Sequence, residues 1–416
     1  MRLSRRVTSL RPSSTVGVAA KAAELRAAGK DVLSFAAGEP DFDTPDPIKE
    51  AAIKALRDGE TGYVSPPGDP ETRAAIAEKL RSENDLHGLT GDHVVISAGG
   101  KQCLYLIFQA LLDPPAPGEP APEVTLPPPA WVSSRPQAEL AGARIVEIPA
   151  GPDQNFKITP SQLRDAITPN ARLFIFNSPS NPCGVMYTPS EVTALAAVIE
   201  EAARTIAPDL TVVTDEIYEK LIYSGERHFS MGAVPAIADR TITVNGFSKA
   251  FAMTGWRLGY LAAPGENGAR LARACAKLQG QINTCVASFT LPAARVALAE
   301  GAPFIETMRL AFQARGRRIH ERLAAMPGVR CPEPTGAFYV FPDVSDCLGK
   351  TTAGGTRLET VVDFASALLE EHLVAAVPGA DFGGCGDRCV RFSFACSEAA
   401  IDEGMDRLDR FLAALS

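Results

Sequence analysis

Long apolar runs are missing from this sequence, and so is any excess of positive charge. No window approaches the ~18 consecutive apolar residues of a membrane span. Lysine and arginine total 41 against 49 aspartates and glutamates, a formal net charge of −8. That balance argues against nucleic acid or an anionic membrane as the main partner. Tryptophan is scarce, with two in 416 residues. The nine cysteines include no C-x-x-C, so neither a zinc ribbon nor a thioredoxin-type site is signalled. Cys385, Cys389 and Cys396 are the closest set, and free buried thiols in a reducing cytoplasm are the expectation. No continuous apolar core of a secretory signal and no internal repeat is evident.

What is present is an ordinary globular composition, 46% hydrophobic and 22% charged. The chain exceeds the size at which a single core keeps growing, so two domains are expected. Arg2, Arg5, Arg6 and Arg11 precede the first acidic residue, Glu24, among several Ser and Thr. That start reads as a transit peptide or as a basic arm of the mature protein.

Helices are predicted over 15–30, 46–58 and 70–83, with a short strand at Val32–Phe35. The loop Ala37-Gly38-Glu39-Pro40 follows that strand. The loop 61–68 carries Tyr63. Val94–Ser97 reads as a buried strand, then a glycine turn, then a helix to Leu112 that begins at Gly100-Lys101-Gln102. Strand, glycine turn and helix is the arrangement in which helix N–H groups face an anion. Lys101 opposes the helix dipole there; a bound anion reverses the sign, and a solvated lysine simply tolerates it. Residues 113–129 are proline-rich and read as a stiff surface connection with little regular structure, followed by Trp131.

Strands at 144–148, 173–176 and 210–214 then alternate with helices at 160–167 and 189–205. This is the rhythm of a mostly parallel sheet covered by helices, whose ligands sit at the carboxyl ends of the strands. Asn181, Asp215, Tyr218 and Lys249 all fall at such ends. Lys249 follows the strand Thr241–Val244 and a turn signal at Asn245-Gly246, and Arg257 comes eight positions later. A lysine among apolar residues has its charged form disfavoured and becomes a usable amine nucleophile. A nearby arginine fork suits a phosphate. Together they suggest a Schiff-base lysine for pyridoxal phosphate; taken alone, the two residues also read as a surface pair after a buried strand. A helical tract over 288–325 leads into an α+β pattern: strands at 337–341, 374–377 and 390–394, and helices at 357–371 and from Glu398.

With these stretches in view, the chain resembles the class I, fold type I aminotransferases that use pyridoxal 5'-phosphate. It is similar in particular to the bacterial aspartate and aspartate/prephenate subgroup. The stretches that carry the resemblance are LSRRVTSLRPSSTV at 3–16, AAGEPDFDTP at 36–45, GGKQ at 99–102, NSPSNPCG at 177–184, TDEIYE at 214–219, TVNGFSKAFAMTGWRLGY at 243–260, GAFYVF at 336–341, AVPGADFG at 376–383 and VRFSFACSE at 390–398. The first of them turns the basic start into the family's own arm.

The resemblance implies an α/β fold: an N-terminal arm and part of the small domain over 1–44, a large cofactor-binding domain over 45–287 with a mostly parallel seven-stranded sheet, and an interdomain helix and the smaller α+β domain over 288–416. It implies that Lys249 holds the cofactor aldehyde and later moves a proton from the substrate Cα. Asp215 pairs with the pyridine nitrogen, Tyr218 and Asn181 bond the ring oxygen, and Trp131 stacks on the ring. Gly100, Lys101, Gln102 and Arg257 hold the phosphate. Tyr63 reaches the phosphate of a neighbouring subunit, which implies a homodimer. Arg391 binds the substrate α-carboxylate and Gly38 adds a backbone contact. Lys101 also meets a side-chain carboxylate, which favours aspartate with glutamate and 2-oxoglutarate as the other pair. Aromatic, alanine-type or prephenate transfer and a lyase on the same fold are the alternatives. A DNA-binding regulator lacks the helix-turn-helix it would need. Departures from the family pattern are Cys183 after Pro182, Ala130 before Trp131, Gly246 without a hydroxyl, the long proline-rich segment, and an enlarged loop around Cys385.

Overall fold

The computed structural model describes residues 1–10 and 14–416; Arg11, part of the predicted arm, lies outside them. The strands in chain order are β1 (Leu33–Ser34), β2 (Val94–Ser97), β3 (Glu123–Leu126), β4 (Arg144–Glu147), β5 (Ala171–Asn177), β6 (Thr211–Asp215), β7 (Thr241–Gly246), β8 (Gly259–Ala262), β9 (Tyr339–Val340), β10 (Val374–Ala375), β11 (Val377–Pro378) and β12 (Val390–Ser393). Seven of them form one sheet in the order β2-β8-β7-β6-β5-β3-β4. β8 runs antiparallel to both of its neighbours and the other pairs are parallel.

Strand β5 shows why helices cover both faces. Leu173 and Ile175 enter one apolar cluster with the helix Gly100–Leu111, and Phe174 and Phe176 enter another with the helix Pro189–Thr205. A period of two puts successive side chains on opposite faces, and both faces are apolar. The helix Pro189–Thr205 starts where Thr188 and Glu191 cap one another's backbone N–H groups. The antiparallel sheet β11-β12-β9 packs with the helices Ala302–Ala324, Val361–His372 and Glu398–Ala413 around a separate cluster that includes Phe312, Phe338, Phe364 and Phe411.

Three local expectations are corrected. The proline-rich segment is not an irregular surface connection throughout: it contains β3, whose four residues are all buried between β4 and β5. Prolines on both sides hide it, and Glu123 inside it is buried because Arg144 pairs with it and Thr168 Oγ1 donates to it at 2.7 Å. Asn245-Gly246 is not a turn: β7 runs through Gly246. A Cβ at Gly246 would meet Gly259 Cα and Leu258 O at 2.9 Å, so the glycine answers a close strand approach. The strand predicted over 337–341 shrinks to Tyr339–Val340. β8 and the helices Ser134–Leu140 and Gly265–Ile282 lie outside the predicted elements.

Candidate active site

A cavity of about 940 Å³ opens at the carboxyl ends of β5, β6 and β7. Gly38, Gly100, Lys101, Trp131, Asn181, Asp215, Tyr218, Lys249, Arg257 and Arg391 all line it. A groove of similar size, about 970 Å³, lies at the other ends of the strands. Among the described residues its lining holds no lysine, histidine or aromatic ring, so the convergent chemistry is in the first cavity.

Each element delivers its residue for a local reason. The helix Gly100–Leu111 begins at Gly99, with φ 84°, and no side chain caps it. Its first N–H groups stay open towards the cavity, as an anion site needs. A Cβ at Gly99 would lie 2.5 Å from the Arg257 guanidinium, so glycine is what lets that fork close over the turn. Arg257 donates to Ala98 O at 3.2 Å and to Thr254 O at 2.7 Å. Asn177, the last residue of β5, ties two loops together: its amide donates to Asp215 O at 2.9 Å and its carbonyl accepts Asn181 N–H at 2.9 Å. Asn181 in turn accepts from Arg391 Nη1 at 2.9 Å, while Arg391 Nη2 donates to Ala36 O at 3.1 Å. Arg391 is 3% exposed, and its Nε has no partner among the described residues. A buried guanidinium with an unused donor is poised for a carboxylate.

The electrostatics follow from burial. Burial pushes the Lys249 amine down to about 8; Arg391 and Arg257 add to this, while Glu39 and Asp215 oppose it. Its Nζ donates to Gly38 O. Burial also raises Asp215 to about 6, Glu216 adds to that, and the Ile217 N–H and Lys249 pull the other way. The result is an amine that loses its proton near neutrality close to a carboxyl that keeps its own longer than usual. Lys101 Nζ lies 5.1 Å from the Trp131 ring centroid, and its pKa is lowered by partial burial and by Arg257.

Two predicted residues sit elsewhere. Gln102 lies behind the turn, its carbonyl accepting Ala98 N–H at 3.1 Å and its amide donating to Asn283 at 3.2 Å. Tyr63 is 89% exposed and outside this cavity. The cavity also contains residues to which sequence reasoning gave no role. Tyr339 bonds Tyr218 hydroxyl to hydroxyl at 3.0 Å, and Ser9 and Leu10 of the arm reach its edge. GAFYVF marked the Tyr339 region, but an aromatic in an apolar run reads as core.

A family model described as aminotransferase class I and II matches residues 30–408. The chain belongs to this family. The aminotransferase is 43% identical over 415 residues to an aspartate/prephenate aminotransferase of Cereibacter sphaeroides, covering 100% of this chain and 99% of that one. It is 40% identical to an aspartate aminotransferase of Geobacillus stearothermophilus, covering both chains in full. Among solved structures, the aspartate aminotransferase of Rhizobium meliloti superposes with a TM-score of 0.91 at 36% identity over the whole of both chains. That of Thermus thermophilus with maleate gives 0.88 at 40% identity, over 99% of this chain and 100% of that one. The expected fold and enzyme class are borne out. The family uses pyridoxal phosphate, and amino acids and 2-oxo acids are its substrates. Among the described residues no helix is long and apolar enough to cross a membrane.

Proposed function

We propose that this aminotransferase holds pyridoxal 5'-phosphate in the 940 Å³ cavity and passes the amino group of aspartate to 2-oxoglutarate in two half-reactions. The observation that carries this reading is the convergence of Lys249, Asp215, Arg257 and Arg391 on one cavity beside the uncapped helix start. The residues fit the cofactor. The open N–H groups at Gly100 and Lys101 and the Arg257 fork suit its phosphate. Asp215 suits its ring nitrogen, Tyr218 and Asn181 its ring oxygen, and Trp131 its flat face. Gln102 supports the phosphate turn from behind through Ala98. Bound there, the group supplies an electron sink for charge developing at the substrate Cα.

Arg391 takes the α-carboxylate with its paired donors and fixes which bond of Cα faces Lys249. Lys249, neutral above about pH 8, would accept the Cα proton and return it two atoms further along, on the far side of the substrate nitrogen. Gly38 O holds the lysine amine in place between those two transfers. Lys101 is the group proposed to read the substrate side chain, since an ammonium at the cavity edge favours a second carboxylate. The Thermus thermophilus structure with maleate, a dicarboxylate, supports that choice. The relative from Cereibacter sphaeroides is named for prephenate as well, a dianion that suits the same cation.

The protein is read as a cytoplasmic homodimer in which exposed Tyr63 reaches the neighbouring subunit's phosphate. Its large domain is taken to span 45–287, with an arm and part of the small domain in 1–44 and an interdomain helix and the rest of the small domain in 288–416. The test is a screen of the cofactor-loaded protein against single amino acids, followed by cofactor absorption. Aspartate and glutamate are expected to react fastest and to leave the aminated cofactor behind. If they rank among the slowest, the acidic-substrate reading fails. If the original spectrum returns with amino acid alone, the enzyme is a lyase.

A further inference from the structure

The turn that begins at Asp215 has two faces. Asp215 and Tyr218 line the active-site cavity. Glu216 and Glu219, each one position later, enter a buried polar cluster on the other side. Backbone bonds from Glu219 N–H to Glu216 O at 3.0 Å and from Leu221 N–H to Tyr218 O at 2.9 Å set the three-residue step that separates the two pairs.

The cluster is dense. Glu216, 1% exposed, accepts from Ser230 Oγ at 2.6 Å, Thr214 Oγ1 at 3.1 Å and Asn84 Nδ2 at 3.2 Å. His228 Nε2 lies 3.0 Å from the same carboxylate but is not aligned as a hydrogen bond. Glu219 accepts from Asn84 Nδ2 at 2.6 Å and pairs with Lys79, whose Nζ also donates to Asn84 Oδ1 at 2.7 Å. Lys79 and Asn84 come from the helix Pro70–Glu83 and its C-terminal end, far from this turn in sequence. Burial alone would lower the His228 pKa, yet Glu216 and Glu219 raise it above its usual value, against burial and Lys79. Glu216, Glu219 and His228 are close enough to suggest a metal site, but the Lys79 ammonium already serves Glu219 as its cation.

A buried ion pair is weak evidence for stability, because apolar residues of equal size often do as well. Its better-attested use is to fix one arrangement among several. Here the arrangement fixed is the one that presents Asp215 and Tyr218 to the cavity. We propose that Lys79, Asn84, Glu216, Glu219 and His228 are positioning residues that hold the rear of the turn, so that Asp215 and Tyr218 stay in register for the cofactor ring. This rests on the cofactor reading above.

The experiment uses the full-length protein stripped of cofactor and titrated with pyridoxal 5'-phosphate. Glu219→Gln keeps the side-chain shape and removes the charge that pairs Lys79. The dissociation constant is expected to rise about tenfold. The pH midpoint of the bound cofactor's absorption is expected to move by about half a pH unit. Lys79→Met combined with Glu219→Gln removes both members of the pair and is expected to recover part of the loss. His228→Gln, at the edge of the cluster, supplies the same two readouts with less risk to folding. If the variants lower only the melting temperature, with dissociation constant and midpoint unchanged, the positioning role is overturned and the cofactor reading stands. A wild-type protein that takes up no cofactor overturns both.

Discussion

The hydroxyls of Tyr218 and Tyr339 lie 3.0 Å apart, and the Arg391 guanidinium sits 4.6 Å from the Tyr339 ring centroid. One buried phenol thus touches both ends of the cavity: the group proposed for the cofactor's ring oxygen and the group proposed for the substrate carboxylate. Its hydroxyl serves the first and its ring face the second.

Tyr339→Phe separates these two contacts by removing the hydroxyl alone. Losing one neutral hydrogen bond costs about 1 kcal/mol, roughly fivefold in rate. The expected result is a lower kcat with KM nearly unchanged, whereas Tyr339→Leu also raises KM. Steady-state kinetics on both variants decide the matter, and identical KM values would remove the ring from the carboxylate clamp.

Asp215 makes the cofactor-free protein pH-sensitive. Its folded pKa of about 6 exceeds the ordinary 3.8. The folded state therefore binds more protons between these values, and the group's contribution to stability, complete below the lower value, is lost as pH rises through about 6. Cofactor-free Asp215→Asn should melt about 1–3 °C above cofactor-free wild type at pH 8, gain little at pH 4, and turn over poorly when loaded. Calorimetry across pH checks this; an equal gain at both pH values contradicts it.

Lys249 carries the opposite sign. Its pKa is lowered from 10.5 to about 8, so the neutral amine dominates above that pH. Covalent capture of the cofactor aldehyde by the stripped protein should speed up through pH 8, as stopped-flow absorption would record. Lys249→Ala should retain the cofactor non-covalently and lose on the order of 10⁴ in turnover. Turnover near wild type would sink the mechanism.

Lys101→Ala tests substrate choice. A charge-assisted hydrogen bond is worth about 1.5–3 kcal/mol, so kcat/KM for aspartate and glutamate should fall roughly 10–100-fold. Alanine and other monocarboxylic substrates should fall far less. An equal loss on both classes returns Lys101 to the phosphate.

Gly259 is predicted to accept no side chain. A Cβ there would overlap the Gly100 nitrogen and the Gly99 backbone, which cannot swing aside as a flexible side chain would. Gly259→Ala should cost about 1–3 kcal/mol of stability and weaken cofactor phosphate binding. Gly255→Ala, where nothing among the described residues lies within 4 Å, is the matched control. Phosphate competition and thermal melts on the pair check this.

Local signals carried much of the reading because they act over a few residues. Val94–Ser97 followed by glycines forecast β2 and the uncapped helix start, and both are present. The same local logic failed where a distant partner decides. Glu123–Leu126 looks like a spacer between prolines until β4 and β5 bury it on both sides. Asn245-Gly246 looks like a turn until β8 closes against it. The Tyr339 hydroxyl looks like core until Tyr218, 121 positions away, meets it.

The sequence by itself determined the residue types: an amine and an acid past strand ends, two guanidinium forks and a glycine turn. Tertiary structure alone decided what they do to one another. Asn181 and Arg391, 210 positions apart, touch because β5 and β12 deliver them to one cavity. Lys249 falls to about 8 because the residues packed around its amine desolvate it. Backbone preference is set by neighbours in sequence, whereas desolvation and charge pairing are set by neighbours in space.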